Sequence, residues 1–219
     1  MKFEAAIWDL DGTLIDSLED IGDSMNRVLR REGLPEHGMD AYRVFIGEGI
    51  EKLVLRAVPD THREEKILHP LITAMRKTYL KHMLDKTAPY PGIPEVLDEL
   101  TARGLKQAVL SNKPDLPTQR IVSKCFSNHS FHLVTGALPD IPKKPDPTAA
   151  LAIAEKLCSL PEAFLYFGDT ATDMKTAVTA GMFPIGVLWG FRGATELLDA
   201  GARMLVKTPG DLLRWLKWI

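Results

Sequence analysis

Cysteine is nearly absent: Cys125 and Cys158 stand alone, with no short Cys-x-x-Cys spacing. This excludes a disulfide framework and a cysteine zinc site and leaves two ordinary thiols suited to a reducing cytosol. Charge of one sign is equally scarce, since 27 basic and 29 acidic side chains give a formal net charge of -2. No global field exists to draw in nucleic acid or an anionic membrane, although a local basic pocket is still allowed. Long apolar runs are missing too. The opening residues Met1-Lys2-Phe3-Glu4 meet charges before a signal-peptide apolar region can develop, and no run is long enough to span a bilayer. Internal repeats and low-complexity tracts are absent, and the six histidines show no metal-ligand spacing. The expectation is a soluble cytoplasmic protein with no nucleic-acid or membrane partner. Its oligomeric state is not written in these residues.

What is present is the material of a packed core: 219 residues, 45% of them hydrophobic and 26% charged, enough for one large domain or a core with an insert. Short apolar runs at Phe3 to Trp8, Lys106 to Leu110, Ala163 to Phe167 and Pro184 to Leu188 read as buried strands. Polar loops and then helix-like segments follow, such as Pro117 to Lys124 and Thr172 to Ala180. This alternation predicts an α/β fold, a Rossmann-like parallel sheet with helices on both faces, whose ligands collect beyond the carboxyl ends of the strands. Between the first strand and the next lies a stretch that reads as helix. Ser17 can cap a helix through Ile21, Met25, Val28 and Leu29 that Gly33-Leu34-Pro35 stops. Leu68, Leu71, Ile72, Met75, Tyr79 and Met83 mark a second amphipathic helix. The insert is too long for a crossover, so residues 16–87 are expected to form a helical cap domain and residues 1–15 with 88–219 a discontinuous core. Gly47-Glu48-Gly49 is the candidate cap loop facing the site, with a plain interhelical turn as its alternative.

Chemistry-bearing residues cluster at the predicted strand ends. Asp9 and Asp11 follow the first apolar strand, and Gly12 lets the backbone turn closely around a bound group. A hard dication such as Mg²⁺ takes oxygen ligands from a carboxylate and a loop carbonyl. A second carboxylate can act as general acid and base. Ser111-Asn112 offers a hydroxyl and an amide for phosphate oxygens, or else only a turn. Lys144, ahead of Pro145-Asp146-Pro147, is a candidate point charge for phosphate. After the strand ending at Phe167, Asp169 can complete a metal site, and Asp173 can support it or orient Lys144. Either acid can alternatively cap the next helix.

Taken in order, Asp9-Leu10-Asp11-Gly12-Thr13-Leu14, Ser111-Asn112, Lys144-Pro145-Asp146-Pro147 and Gly168-Asp169-x-x-x-Asp173 resemble the four motifs of the haloacid dehalogenase superfamily. Asp16-Ser17 and Phe45-Ile46-Gly47-Glu48-Gly49-Ile50 are most similar to phosphoglycolate phosphatases within it. The resemblance implies a Mg²⁺-dependent phosphomonoester hydrolase acting on a small phosphorylated metabolite. It makes Asp9 the nucleophile, which becomes an aspartyl phosphate, and Asp11 the acid for the leaving alkoxide and then the base for water. Mg²⁺ would be held by the Asp9 carboxylate, the Asp11 carbonyl and Asp169, with Asp173 supporting. Thr13, Ser111, Asn112 and Lys144 would hold the phosphoryl group. Dehalogenases need neither Asp11 nor the metal site, so those residues argue against dehalogenation. Sugar phosphate mutases of the β-phosphoglucomutase type carry a histidine early in the first cap helix, where this chain has Ile21 beside Asp20. A non-catalytic phosphate-binding module is the remaining alternative.

Overall fold

The computed structural model describes residues 3–217. In chain order the strands and α-helices are β1 (Ala5–Trp8), β2 (Ile15–Asp16), α1 (Leu18–Arg31), α2 (Met39–Phe45), α3 (Ile50–Ala57), α4 (Glu65–His82), β3 (Ala88–Pro89), α5 (Ile93–Ala102), β4 (Lys106–Pro114) and α6 (Asp115–Cys125). They continue with β5 (Leu133–Ala137), α7 (Thr148–Lys156), β6 (Phe164–Gly168), α8 (Ala171–Thr179), β7 (Phe183–Val187), α9 (Ala194–Asp199), β8 (Met204–Val206) and α10 (Pro209–Leu216). The chain divides into two compact units, Ser17–Ala88 and a second made from the stretches ending at Asp16 and beginning at Pro89.

The second unit is a parallel sheet in the order β5-β4-β1-β6-β7-β8, flanked by helices. All four residues of β1 and all five of β6 are buried, so neither strand has a polar face. Only the interior of a sheet covered on both sides accommodates such strands. Side chains alternate between faces. Ala5 and Ile7 join Phe164, Tyr166, Ala150 and Ile153 in one core cluster, while Trp8 stacks on Phe167 at 3.9 Å between ring centroids. Burial of each large apolar side chain contributes about 1.5–3 kcal/mol, and the many alanines in the cluster let helix and sheet approach closely. The connection leaving β1 leads toward β4 and that leaving β6 leads toward β7, in opposite directions along the sheet. A ligand crevice opens beyond two neighbouring strands whose connections diverge in this way.

Ladder pairing of β4 with β5 slips at its end. Leu110 pairs with Thr135 and Pro114 with Ala137, so Ser111, Asn112 and Lys113 oppose Gly136 alone. Such a bulge frees side chains from the sheet's alternation and re-aims them.

The helical unit is held by apolar stripes. Leu18, Ile21, Met25, Val28 and Leu29 are buried on α1, and Leu71, Met75 and Tyr79 on α4, both at helical spacing. Ser17 occupies the N-cap position of α1, but its side chain makes no capping hydrogen bond. Asp20 is buried on the same helix and accepts hydrogen bonds from Lys86 N at 3.0 Å, Thr87 N at 2.8 Å and Thr87 Oγ1 at 2.7 Å. It ties the end of the unit back to its first helix. Gly47-Glu48-Gly49 links α2 to α3, and Glu48 is ion-paired with Arg56.

Candidate active site

Asp9 and Asp169 follow β1 and β6, the two strands at the divergence point, and both are buried. The loop after Asp9 wraps around one carbonyl: Leu10 O accepts from Thr13 N at 3.3 Å, Leu14 N at 3.0 Å and Ile15 N at 3.1 Å. Gly12 has φ 82, in the left-handed region, and a Cβ on it would meet Asp169 Oδ2 at 2.3 Å. Glycine is therefore required for this loop to pass so close to the second acid.

Asp169 is fixed from two sides, by Thr13 Oγ1 donating to Oδ1 at 3.2 Å and Phe191 N donating to Oδ2 at 2.8 Å. Asp173 does two jobs with its two oxygens. Its Oδ2 accepts from Thr170 N at 3.2 Å in a capping box of α8 and also from Thr170 Oγ1 at 2.6 Å, and its Oδ1 accepts from Lys144 Nζ at 2.7 Å. Lys144 Nζ also donates to Asp9 Oδ1 at 2.7 Å and to Leu110 O at 3.0 Å. The Lys144 backbone is pinned by Asn112, whose Oδ1 accepts from Lys144 N at 2.9 Å while its Nδ2 donates to Lys144 O at 3.0 Å. Ser111 Oγ accepts from Lys113 N at 3.2 Å. Asp11 forms an ion pair with Lys113, Nζ to Oδ1 at 2.6 Å.

The predicted residues are thus brought together, but with a division of labour that the sequence does not reveal. In this structure Thr13 spends its hydroxyl on Asp169, and Asn112 binds the Lys144 backbone. Sequence reasoning missed Lys113, although it follows Ser111-Asn112 directly. It also missed the loop after β7, where Trp189 Nε1 donates to Thr13 O at 2.9 Å and a Cβ on Gly190 would lie 2.3 Å from Gly12 O and 2.4 Å from Asp169 Cβ. A Trp-Gly pair just past a strand end was the available signal.

The donor set fits a hard dication. Asp9, Asp169 and Asp173 offer carboxylate oxygens that all lie within 4.8 Å of one another, the one such cluster among the described residues. With Asp11 there are four acids, against the two ammonium groups of Lys144 and Lys113. The acids outnumber the ammonium groups, an imbalance that favours binding of a cation, and oxygen-only donors are what Mg²⁺ prefers. Protonation reflects the same excess. Burial first, then the charge of Asp173, pushes Asp9 up to about 7 against the pull of Lys144. Burial, then Asp9 and Asp173, raises Asp169 well above the ordinary carboxylate range. Burial disfavours the charge on Lys144, but Asp173 and Asp9 outweigh it and hold the ammonium firmly protonated.

Residues 6–187 match the model of the family described as haloacid dehalogenase-like hydrolase. A phosphoglycolate phosphatase of Aquifex aeolicus is 36% identical over 208 residues, covering 95% of this chain and 94% of that protein. One from Pseudomonas putida is 30% identical, covering 91% of this chain and 74% of that protein. Among solved structures, a protein assigned as a phosphoglycolate phosphatase from Lactobacillus delbrueckii subsp. bulgaricus superposes with a TM-score of 0.92 at 28% identity, covering 99% of both chains.

Proposed function

We propose that this chain, which belongs to the haloacid dehalogenase-like hydrolase family and is a phosphatase, hydrolyses a small organic phosphomonoester in a Mg²⁺-dependent reaction through phospho-Asp9. The observation that carries the reading is the buried group of Asp9, Lys144, Asp169 and Asp173, with its ion pairs at 2.7 Å and its uncompensated negative charge. Phosphoglycolate is the first candidate substrate, because relatives at 36% and 30% identity bear that substrate in their names.

In this mechanism an Asp9 carboxylate oxygen attacks phosphorus and the ester P–O bond breaks. Asp11 gives its proton to the departing alkoxide oxygen. Asp11, now ionised, takes a proton from water, whose oxygen bonds to phosphorus as the Asp9 O–P bond breaks, releasing phosphate and restoring both acids. The Asp9 carboxylate, the Asp11 carbonyl and Asp169, with Asp173 in support, would hold Mg²⁺, which would supply positive charge for phosphoryl transfer. Lys144 adds a second, permanent positive charge beside the nucleophile. Ser111, Asn112 and Thr13 complete the phosphoryl site, Asn112 by fixing the Lys144 backbone and Thr13 by fixing Asp169. Selection of the organic part is assigned to the helical unit. The mutase alternative is disfavoured, since Ile21 is part of that unit's apolar core and Asp20 is committed to Lys86 and Thr87. The protein is assigned to the cytoplasm, where its two free thiols stay reduced.

The test is phosphate release from phosphoglycolate and a panel of sugar phosphates, with Mg²⁺ and with chelator, for wild type and Asp9→Asn. Release that needs the metal and disappears in the variant supports the reading; equal release from Asp9→Asn in a phosphatase-free preparation overturns it.

A further inference from the structure

Lys113 is a buried lysine that the mechanism above does not use. Its side chain is 4% exposed, and its Nζ lies 2.6 Å from Asp11 Oδ1, while the Asp11 side chain is 13% exposed. The lysine is built into place at both backbone groups: its N–H donates to Ser111 Oγ at 3.2 Å, and its carbonyl accepts from the fully buried Thr118 Oγ1 at 3.2 Å. It stands in the bulge where Ser111, Asn112 and Lys113 oppose Gly136 alone, so the ladder's alternation does not dictate where its side chain points. A Cβ on Gly136 would come within 2.8 Å of Lys113 O, so the opposing strand closes tightly on this backbone. Desolvating an ammonium and a carboxylate costs as much as their attraction returns, and an apolar pair of the same size would serve stability as well. The pair therefore calls for a reason other than stability.

We propose that Lys113 is the positioning residue for the acid-base carboxylate: by gripping Asp11 through Oδ1 it fixes the plane of the carboxyl group, so that the other oxygen delivers the proton to the leaving alkoxide. The inference rests on the assignment of Asp11 as the acid. When the ester P–O bond breaks and Asp11 passes its proton to the alkoxide, the ionised carboxylate keeps Lys113 as its counter-ion until it takes a proton from the incoming water. Lys113 thereby acts through Asp11 and touches no reacting atom.

The leaving group separates this role from a structural one. A nitrophenolate departs without a proton, whereas a simple alkoxide requires one, and general acid catalysis contributes roughly 10²–10⁴-fold where it is needed. The experiment measures kcat/KM for p-nitrophenyl phosphate and for ethyl phosphate in Mg²⁺, using wild type, Lys113→Met, Lys113→Gln and Asp11→Asn. Ethyl phosphate has no second charge, so lost contact between Lys113 and a substrate carboxylate cannot mimic the effect. The ratio of the two constants is independent of how much of a preparation is folded. Lys113→Met and Lys113→Gln are expected to lower the ethyl-to-nitrophenyl ratio by about tenfold or more, with Asp11→Asn lowering it further. A ratio that falls in Asp11→Asn but stays at the wild-type value in both lysine variants overturns the positioning role. A ratio unchanged in Asp11→Asn as well overturns the assignment of Asp11 as the acid, and the inference with it.

Discussion

At the scale of single residues, Asp9 as the proposed nucleophile must satisfy two conditions: a nucleophile has to be ionised, yet burial next to Asp173 favours its protonated form. Lys144 offsets part of that burden, and the dication we propose would offset the rest. Stability should record the difference. In metal-free protein the Asp9 carboxyl is raised from 3.8 to about 7. Between those values the native state binds more protons than the unfolded chain, so stability falls as pH rises through this window. Asp169, shifted in the same direction, adds to the fall. The urea midpoint of the protein in chelator should therefore decrease from pH 4 to pH 7 (about the span of the Asp9 shift), and saturating Mg²⁺ should flatten or reverse the slope. A chelated protein whose midpoint is level across that range would show that the buried acids are balanced without a metal.

At the scale of elements, the site depends on loops forced into contact. The turn after β7 approaches so closely that Gly190 has no room for a methyl group, with Gly12 O and Asp169 Cβ at 2.3 and 2.4 Å from the Cβ position. Gly190→Ala should cost about 1–3 kcal/mol in stability by overpacking. Displacing Asp169 should also raise the Mg²⁺ concentration for half-maximal activity by about 10–100-fold, the usual effect of disturbing support around a metal ligand. A metal titration that matches wild type would mean that this loop does not set the position of Asp169. Strands β1, β6 and β7 were legible in the sequence because each is an unbroken apolar run ending in polar loop residues, and their ends lie within one or two residues of expectation. β5 and β8 escaped notice. Leu133–Ala137 is interrupted by Thr135 and Gly136, and Met204–Val206, though apolar, has only three residues, so neither is an apolar run long enough to read as a strand; both are defined by the neighbour they pair with. The acids of the site were legible for the opposite reason, as charges directly behind apolar strands. Partners such as Lys113, Trp189 and Gly190 were not, because ion pairs and van der Waals gaps between strand ends exist only after the sheet has assembled.

At the scale of the whole molecule, a four-residue strand from the start of the chain lies in the middle of a sheet whose other strands come from residue 106 onward. Its neighbours β4 and β6 deliver Ser111, Lys113 and Asp169, so assembling the sheet is the same event as assembling the site. Among the described residues no helix is long and apolar enough to cross a membrane. With a net charge of -2 the molecule as a whole does not steer anions, so we assign the positive charge for phosphate to Lys144 and the proposed metal. In the proposed mechanism phosphate leaves its ester by bonding to Asp9. The most direct measurement is to quench turnover of a phosphomonoester within a few milliseconds, reduce the acyl phosphate with borohydride and map the modified peptide by mass spectrometry. Conversion of Asp9 to homoserine that requires Mg²⁺ and is absent from Asp9→Asn is the expected outcome; steady phosphate release with an unmodified Asp9, or with the label on another residue, would overturn the phospho-Asp9 mechanism.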